Sequence, residues 1–232
     1  GPGEPPQRLR LGRPDAQWWS EEGTQWQGGL TVLLAQWNAL PGGERLLVGF
    51  DEYELRHIER RLERTLPDGY RSELLPQLPY WVQAVMGGLD RGAMLFADYG
   101  YPRREFYQAD REDGTLRAYY RHRVHNDAYL WPGLQDITAS VDFTALAEAG
   151  TNAGFDLAGY TTQANFLLGN GLQERLDEAQ ARADEATLLR LRNEAKRLTL
   201  PSEMGERFQV MGFSRDVEFG AAFLFNDLSW RL

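Results

Sequence analysis

Three groups of residues carry the chemistry that this sequence offers. In RGAMLFADYGYPRREFY, residues 91–107, the apolar run Ala93 to Ala97 ends on Asp98, Tyr99 and Tyr101. A carboxylate at the carboxyl end of a parallel-type buried strand points into the crevice where open α/β sheets bind ligands. The bland alternative for Asp98 is a helix or loop cap. Tyr99 and Tyr101 would wall an aromatic pocket there, or pack against the next helix. The second group lies in GTLRAYYRHRVHND, residues 114–127. His122, His125 and Asp127 are metal-ligand types, but no helix fixes their geometry and no third imidazole is near, so the pattern reads against a metal site. Arg111, Arg117, Arg121 and Arg123 form the most basic stretch of the chain, suited to gripping a carboxylate or phosphate bidentately. Pairing with Glu112, Asp113 and Asp127 is the simpler reading of the same arginines. The third group is PGLQDITASVDF, where Asp142 is placed as a helix N-cap and Asp136 has no such role.

The elements around these residues change period along the chain. Residues 8–50 read as a β-rich meander, with alternation in RLRLG, a longer apolar run in LTVLLAQW, and Trp18, Trp19 and Trp26 on one sheet face. In DEYELRHIERRLERTL, Leu55, Ile58, Leu62 and Leu66 fall at helical spacing behind an Asp51/Glu54 capping box; His57 lies on the polar side. A second helix is expected over 79–89, with Trp81, Val82, Val85 and Met86 available for burial, followed directly by the strand AMLFAD. A helix feeding a buried strand is the αβ half of a doubly wound unit. Residues 102–138 show no long element. Beyond them a helix follows Asp142, with Phe143 and Leu146 inward and Gly154 at its exit. FDLAGYTT reads as a strand, QERLDEAQARADEATLLRLRNEAKRL as one long solvated helix packed through Leu176, Leu188, Leu191 and Leu198, and FQVMGFSRD and AAFLFNDL as two closing β segments.

Composition bounds the function. The chain has 232 residues, 42% of them apolar and 25% charged, enough for one sizeable core. A net charge of −9 and a pI near 5.0 argue against a nucleic-acid surface. With no cysteine there is no disulfide framework, thiolate site or cysteine nucleophile. No apolar run reaches the length of a membrane span, and a cytoplasmic protein is expected. Gly1-Pro2-Gly3 reads as a tag scar. No P-loop, G-x-S-x-G or H-E-x-x-H motif occurs.

The order of several longer strings resembles one family. LPDGYRSE, GAMLFADYGYPRREFY, DGTLRAYYRHRVHNDAY, PGLQDITASVDFTAL, AGYTTQANFLLGNG and PSEMGERFQVM look like its successive signatures. It is the S-adenosylmethionine-dependent methyltransferase family of the mitochondrial complex I assembly factor that methylates an arginine, with many bacterial relatives. The resemblance runs from about Pro67 to Met211. It implies α/β architecture of the class I, seven-stranded, Rossmann-like kind, S-adenosyl-L-methionine as cofactor, and a protein substrate. The family's Gly-x-Gly cofactor turn, acidic ribose position and Asn-Glu strand belong upstream of these strings. The opening GPG does not supply the turn, because Glu-Pro-Pro stands where a helix should start. The expectation is therefore the C-terminal portion of such a domain: 1–50 an inserted β-meander, 51–232 the methyltransferase part, with no cofactor-binding residues. Such a chain would be catalytically silent alone and would self-associate or pair with the missing N-terminal half.

Methyl transfer from a sulfonium is an in-line displacement that chiefly needs alignment and exclusion of water. A guanidinium acceptor must be held by carboxylates while it loses a proton. Asp98 and Asp136 are the carboxylate candidates and His122 a further candidate to accept the proton. Tyr99, Tyr101, Arg121 and His125 are the substrate-binding candidates. Two rival readings are a non-catalytic scaffold derived from the family and a small-anion enzyme built on residues 111–125.

Overall fold

The computed structural model describes residues 58–66, 70, 72–111, 113–131 and 133–232. The expected meander over 8–50 and the start of the first helix, with Asp51, Glu54, Leu55 and His57, lie outside these residues. Within them, 58–62 is helical with Ile58 and Leu62 buried, as their spacing predicts. The chain divides into two compact units, one comprising Gly1–Leu75 and Tyr107–Ala139, the other Pro76–Phe106 and Ser140–Leu232.

The second unit is a mixed sheet with helices. Its strands are β1 (Gly92–Tyr101), β5 (Val141–Asp142), β6 (Asp156–Thr162) and β7 (Phe208–Arg215), in the order β5-β1-β7-β6. The helices are α1 (Leu78–Met86), α2 (Arg103–Phe106), α3 (Phe143–Asn152), α4 (Gln163–Gly169), α5 (Leu172–Gln180) and α6 (Glu185–Thr199), with a final 3-10 turn at Ser229–Arg231. β1 was expected to be parallel and buried. It instead runs antiparallel to β7 from Gly92 to Tyr99, and only Gly100 and Tyr101 pair in parallel, with Val141 and Asp142. Its burial alternates: Met94 and Phe96 pack on the core, while Leu95 stands 48% exposed.

The core gathers Val82 and Met86 of α1, Phe143, Leu146, Ala147 and Ala149 of α3, Phe155, Tyr160 of β6, and Met211 and Phe213 of β7. These positions share one face of each element, as periods of 3.6 and 2 require. Trp81 and Val85 of α1, expected to be available for burial, are exposed. Arg215 closes one end of this layer: its guanidinium lies 3.8 Å over the Phe155 ring and donates to the carbonyls of Leu89, Ala153 and Gly154.

Two expected elements differ. The long helix is broken at 181–184, where Asp184 caps α6 by accepting from the Thr187 N–H at 2.8 Å. Leu176, Leu188, Leu191 and Leu198 are half-buried, and Ala195 is the buried residue of α6. AAFLFNDL is not a strand. Gly220 and Asn226 take φ of +59° and +58° and turn the chain. Phe223 then packs where Gly159 and Gly212 carry no side chain, since a Cβ on either would approach its ring within 2.5 Å.

The first unit holds a three-stranded antiparallel sheet in the polar stretch where no long element was expected. β2 (Arg117–Tyr120) is central, between β3 (Arg123–His125) and β4 (Asp136–Thr138). Glu73 anchors its start: the carboxylate accepts from the N–H and hydroxyl of Thr115 and from the Leu116 N–H, at 2.6–3.1 Å. Gly114 stands against this carboxylate at φ +68°, a backbone conformation that other residues adopt only with strain.

Candidate functional site

The exit of β1 is a tightly built junction of the second unit. Gly100 passes so close to β5 that a Cβ would meet the Val141 carbonyl oxygen at 2.2 Å. This approach brings Tyr101 beside Asp142, the residue that turns β5 into α3. Asp142 caps that helix by accepting from the Ala145 N–H at 3.0 Å, as its position in the sequence predicts. Arg103, two residues past β1, then ties the exit down. Its backbone N–H donates to Thr144 Oγ1 at 2.9 Å and its Nε to Asp142 at 3.2 Å. Both terminal nitrogens fork onto Glu148, at 2.9 and 2.7 Å. Burial works against the charge on Arg103, but the hydrogen bond to Glu148 and the fields of Asp142 and Glu148 outweigh it and hold the guanidinium charged. Burial lifts the Asp142 carboxyl above its ordinary value, against the pull of Arg103 and of the Ala145 N–H.

Beneath this junction the Tyr160 hydroxyl is buried with no hydrogen-bond partner, and burial raises its pKa. The final turn of the chain lies along β6. Asp227 accepts from the Tyr160 N–H at 3.1 Å, Leu228 N–H donates to the Tyr160 carbonyl at 2.6 Å, and Arg231 pairs with Glu105 of α2.

The sequence-derived candidates fall in both units. Asp98 is not at the strand's end: β1 continues through Tyr101, and Asp98 sits opposite Gln209, exposed, with Oδ1 accepting the Tyr99 N–H at 2.8 Å. Tyr99 packs edge-on at 5.7 Å against Phe208 of the neighbouring strand β7, not against a helix, and Tyr101 is half-buried. Asp136, His122, Arg121 and His125 belong to the first unit. Asp136 is exposed on β4 opposite Tyr119. Arg121 and His122 form the two-residue turn between β2 and β3, and both are exposed. His125 is on β3, edge-on to Trp131 at 5.3 Å, and both its ring nitrogens are buried without a partner. Asp127 accepts from the Tyr129 N–H, and Arg117 donates to its own neighbour's carbonyl, Leu116 O. Burial and the nearby Asp127 push the Tyr129 hydroxyl up to about 12. Among the described residues no group of three or more His, Cys, Asp or Glu could hold a metal ion.

Residues 27–161, more than half of the chain, match the model of a family described as "Putative S-adenosyl-L-methionine-dependent methyltransferase". The chain belongs to this family. The match starts upstream of Pro67, inside the stretch read as an insertion. Among curated relatives, the mitochondrial protein arginine methyltransferase NDUFAF7 of Danio rerio is 33% identical over 120 residues, which are 52% of this chain and 26% of that protein. The Homo sapiens protein of the same name is 32% identical over 121 residues, 52% of this chain and 25% of its own. Among solved structures, a COG1565 superfamily protein from Burkholderia thailandensis is 41% identical with a TM-score of 0.71, covering 80% of this chain and 49% of its own. A second one, bound to S-adenosyl-homocysteine, is 40% identical at the same TM-score, with 80% and 47% covered. The chain thus spans about half the length of these solved relatives and its match about a quarter of the curated ones. The mixed sheet is consistent with a Rossmann-like methyltransferase fold, as the sequence resemblance implies.

Proposed function

We propose that this chain is the C-terminal, acceptor-side part of an S-adenosyl-L-methionine-dependent methyltransferase that acts on an arginine of a protein. The observation that carries the reading is the likeness, at 40% identity, to a solved relative that holds S-adenosyl-homocysteine. The arginine acceptor rests on the curated relatives' names together with the carboxylates the chain displays. Asp98 is exposed on β1 and spends one oxygen on a backbone N–H, which leaves the other to hold a guanidinium. Tyr99 and Tyr101 would stiffen the strand that carries Asp98, while Asp136, His122, Arg121 and His125 lie in the first unit and are given no shared role with it.

On this reading the cofactor's own cradle would lie outside the described residues. A helix N-terminus at a strand end is the usual seat for an anionic ligand group. Of the three such junctions in the described sheet, two are closed by their own side chains, α3 by Asp142 and α4 by Thr162, which accepts from the Asn165 N–H, and the third, α2 behind β1, has only four residues. Residues Gly92–Tyr99 of β1 have β7 on one side and, among the described residues, no strand on the other. That edge is where the rest of the sheet would add, or a second copy in its place. Labelled methyl transfer with Asp98→Asn beside the parent, both joined to a cofactor-binding segment, tests the assignment. The substitution should lower transfer at least tenfold while S-adenosyl-L-methionine affinity stays within about twofold. Unchanged transfer would reassign Asp98 to a surface position.

A further inference from the structure

We propose that the turn between β2 and β3 is a docking point for an acidic segment of a partner protein. Tyr120 and Arg123 pair across the hairpin, so its loop is the dipeptide Arg121-His122. Both residues are left-handed, at φ +47° and +64°. Two successive positive φ values define the turn for which Asn-Gly is strongly preferred. Arginine is a poor choice for it, though histidine enters this region more readily than most residues, and a conformation held against local preference marks a place where the side chain matters more than the turn.

What the turn displays is positive charge on a rigid base. Arg121, His122 and Arg123 are all exposed, and none of them is paired with a carboxylate among the described residues. Arg121 Cζ lies 5.3 Å over the Tyr120 ring. Tyr120 in turn lies against Trp131 at 4.5 Å, and Trp131 takes the edge of His125. The ladder holds the guanidinium before any partner arrives, which lowers the entropic cost of binding. The chain as a whole carries −9, so an acidic partner is repelled from most of its surface and admitted at this tip. Asp136, the carboxylate of the same sheet, is on β4, beyond β2 from the Arg123 strand. This inference does not depend on the methyltransferase reading.

The test uses the whole 232-residue chain, a decaglutamate peptide as probe, and about 50 mM salt, where screening is modest. The variant Arg121→Asn/His122→Gly supplies the preferred turn and removes the guanidinium stacked on Tyr120. It should melt about 2–4 °C higher than the parent and bind decaglutamate at least tenfold more weakly. A second variant, Arg121→Gln/Arg123→Gln, should weaken binding as much without the gain in melting temperature. Absence of decaglutamate binding by the parent, unchanged binding by either variant, or no rise in melting temperature for the Asn-Gly variant would each overturn the proposal. Inorganic phosphate competing as well as the peptide would also overturn it, in favour of a small-anion site.

Discussion

Arg103→Met should loosen the β1 exit by an amount that the geometry sets. The guanidinium side chain is 9% exposed and its partners Asp142 and Glu148 are 10% and 29% exposed. Removing one member of a buried charge cluster costs about 3–5 kcal/mol, because the carboxylates left behind stay desolvated. Glu148 can recover part of its hydration, which places the loss near the lower end, about 3 kcal/mol. With a urea dependence of about 2 kcal/mol per molar, the unfolding midpoint should fall by about 1.5 M. Removing the carboxylates as well, in Arg103→Met/Asp142→Asn/Glu148→Met, should return most of the loss, since an apolar replacement of the set is near neutral and Asn is as good an N-cap as Asp. The pH dependence has a definite sign. Burial already lifts Asp142 above 3.8, and loss of Arg103 lifts it further. The folded single variant then binds the proton more tightly than its unfolded chain, so its stability rises as pH falls from the folded value towards 3.8. The gap to the parent should therefore narrow on acidification. A loss below about 1 kcal/mol at pH 7, or a gap that widens in acid, would refute the argument that desolvated carboxylates set the cost.

Glu73→Ala should cost about 2 kcal/mol and speed hydrogen exchange at the Thr115 and Leu116 amides, which lose a charged acceptor; exchange confined to other amides would contradict this. Tyr160→Phe should leave stability within about 1 kcal/mol of the parent or raise it, because the buried hydroxyl has no partner to lose; denaturant titration decides. Gly100→Ala should destabilise by about 2–3 kcal/mol through the clash with Val141, read from the same titration.

Local signals in the sequence are enough for much of this fold. Asp142 reads as a cap because a helical period begins at the next residue, and FDLAGYTT and FQVMGFSR carry strand patterns that become β6 and β7. The family resemblance rests on long strings and is upheld by the family match. What sequence order hides is partnership at a distance. Arg103 meets Asp142 and Glu148 across 39 and 45 residues, and Glu73 meets Leu116 across 43, so neither cluster has a spacing to find. AAFLFNDL looks like a strand because its apolar residues are contiguous. Its structure is set by positive φ at Gly220 and Asn226 and by the hollow above Gly159 and Gly212 that takes Phe223. The helical composition runs unbroken through 181–184, and the break shows locally only in Asp184, whose cap has Thr187, three residues later, as donor. The apolar run stops at Ala97 and so suggests a strand end at Asp98, whereas backbone pairing carries β1 on to Tyr101.

The most direct measurement of the central claim is transfer of a labelled methyl group from S-adenosyl-L-methionine to protein arginine. It compares the 232-residue chain alone with the chain joined to the cofactor-binding half of the Burkholderia thailandensis relative. The account predicts labelled arginine and S-adenosyl-homocysteine from the joined form and neither from the chain alone. Transfer by the chain alone, or a joined form that binds the cofactor and transfers nothing, would contradict it.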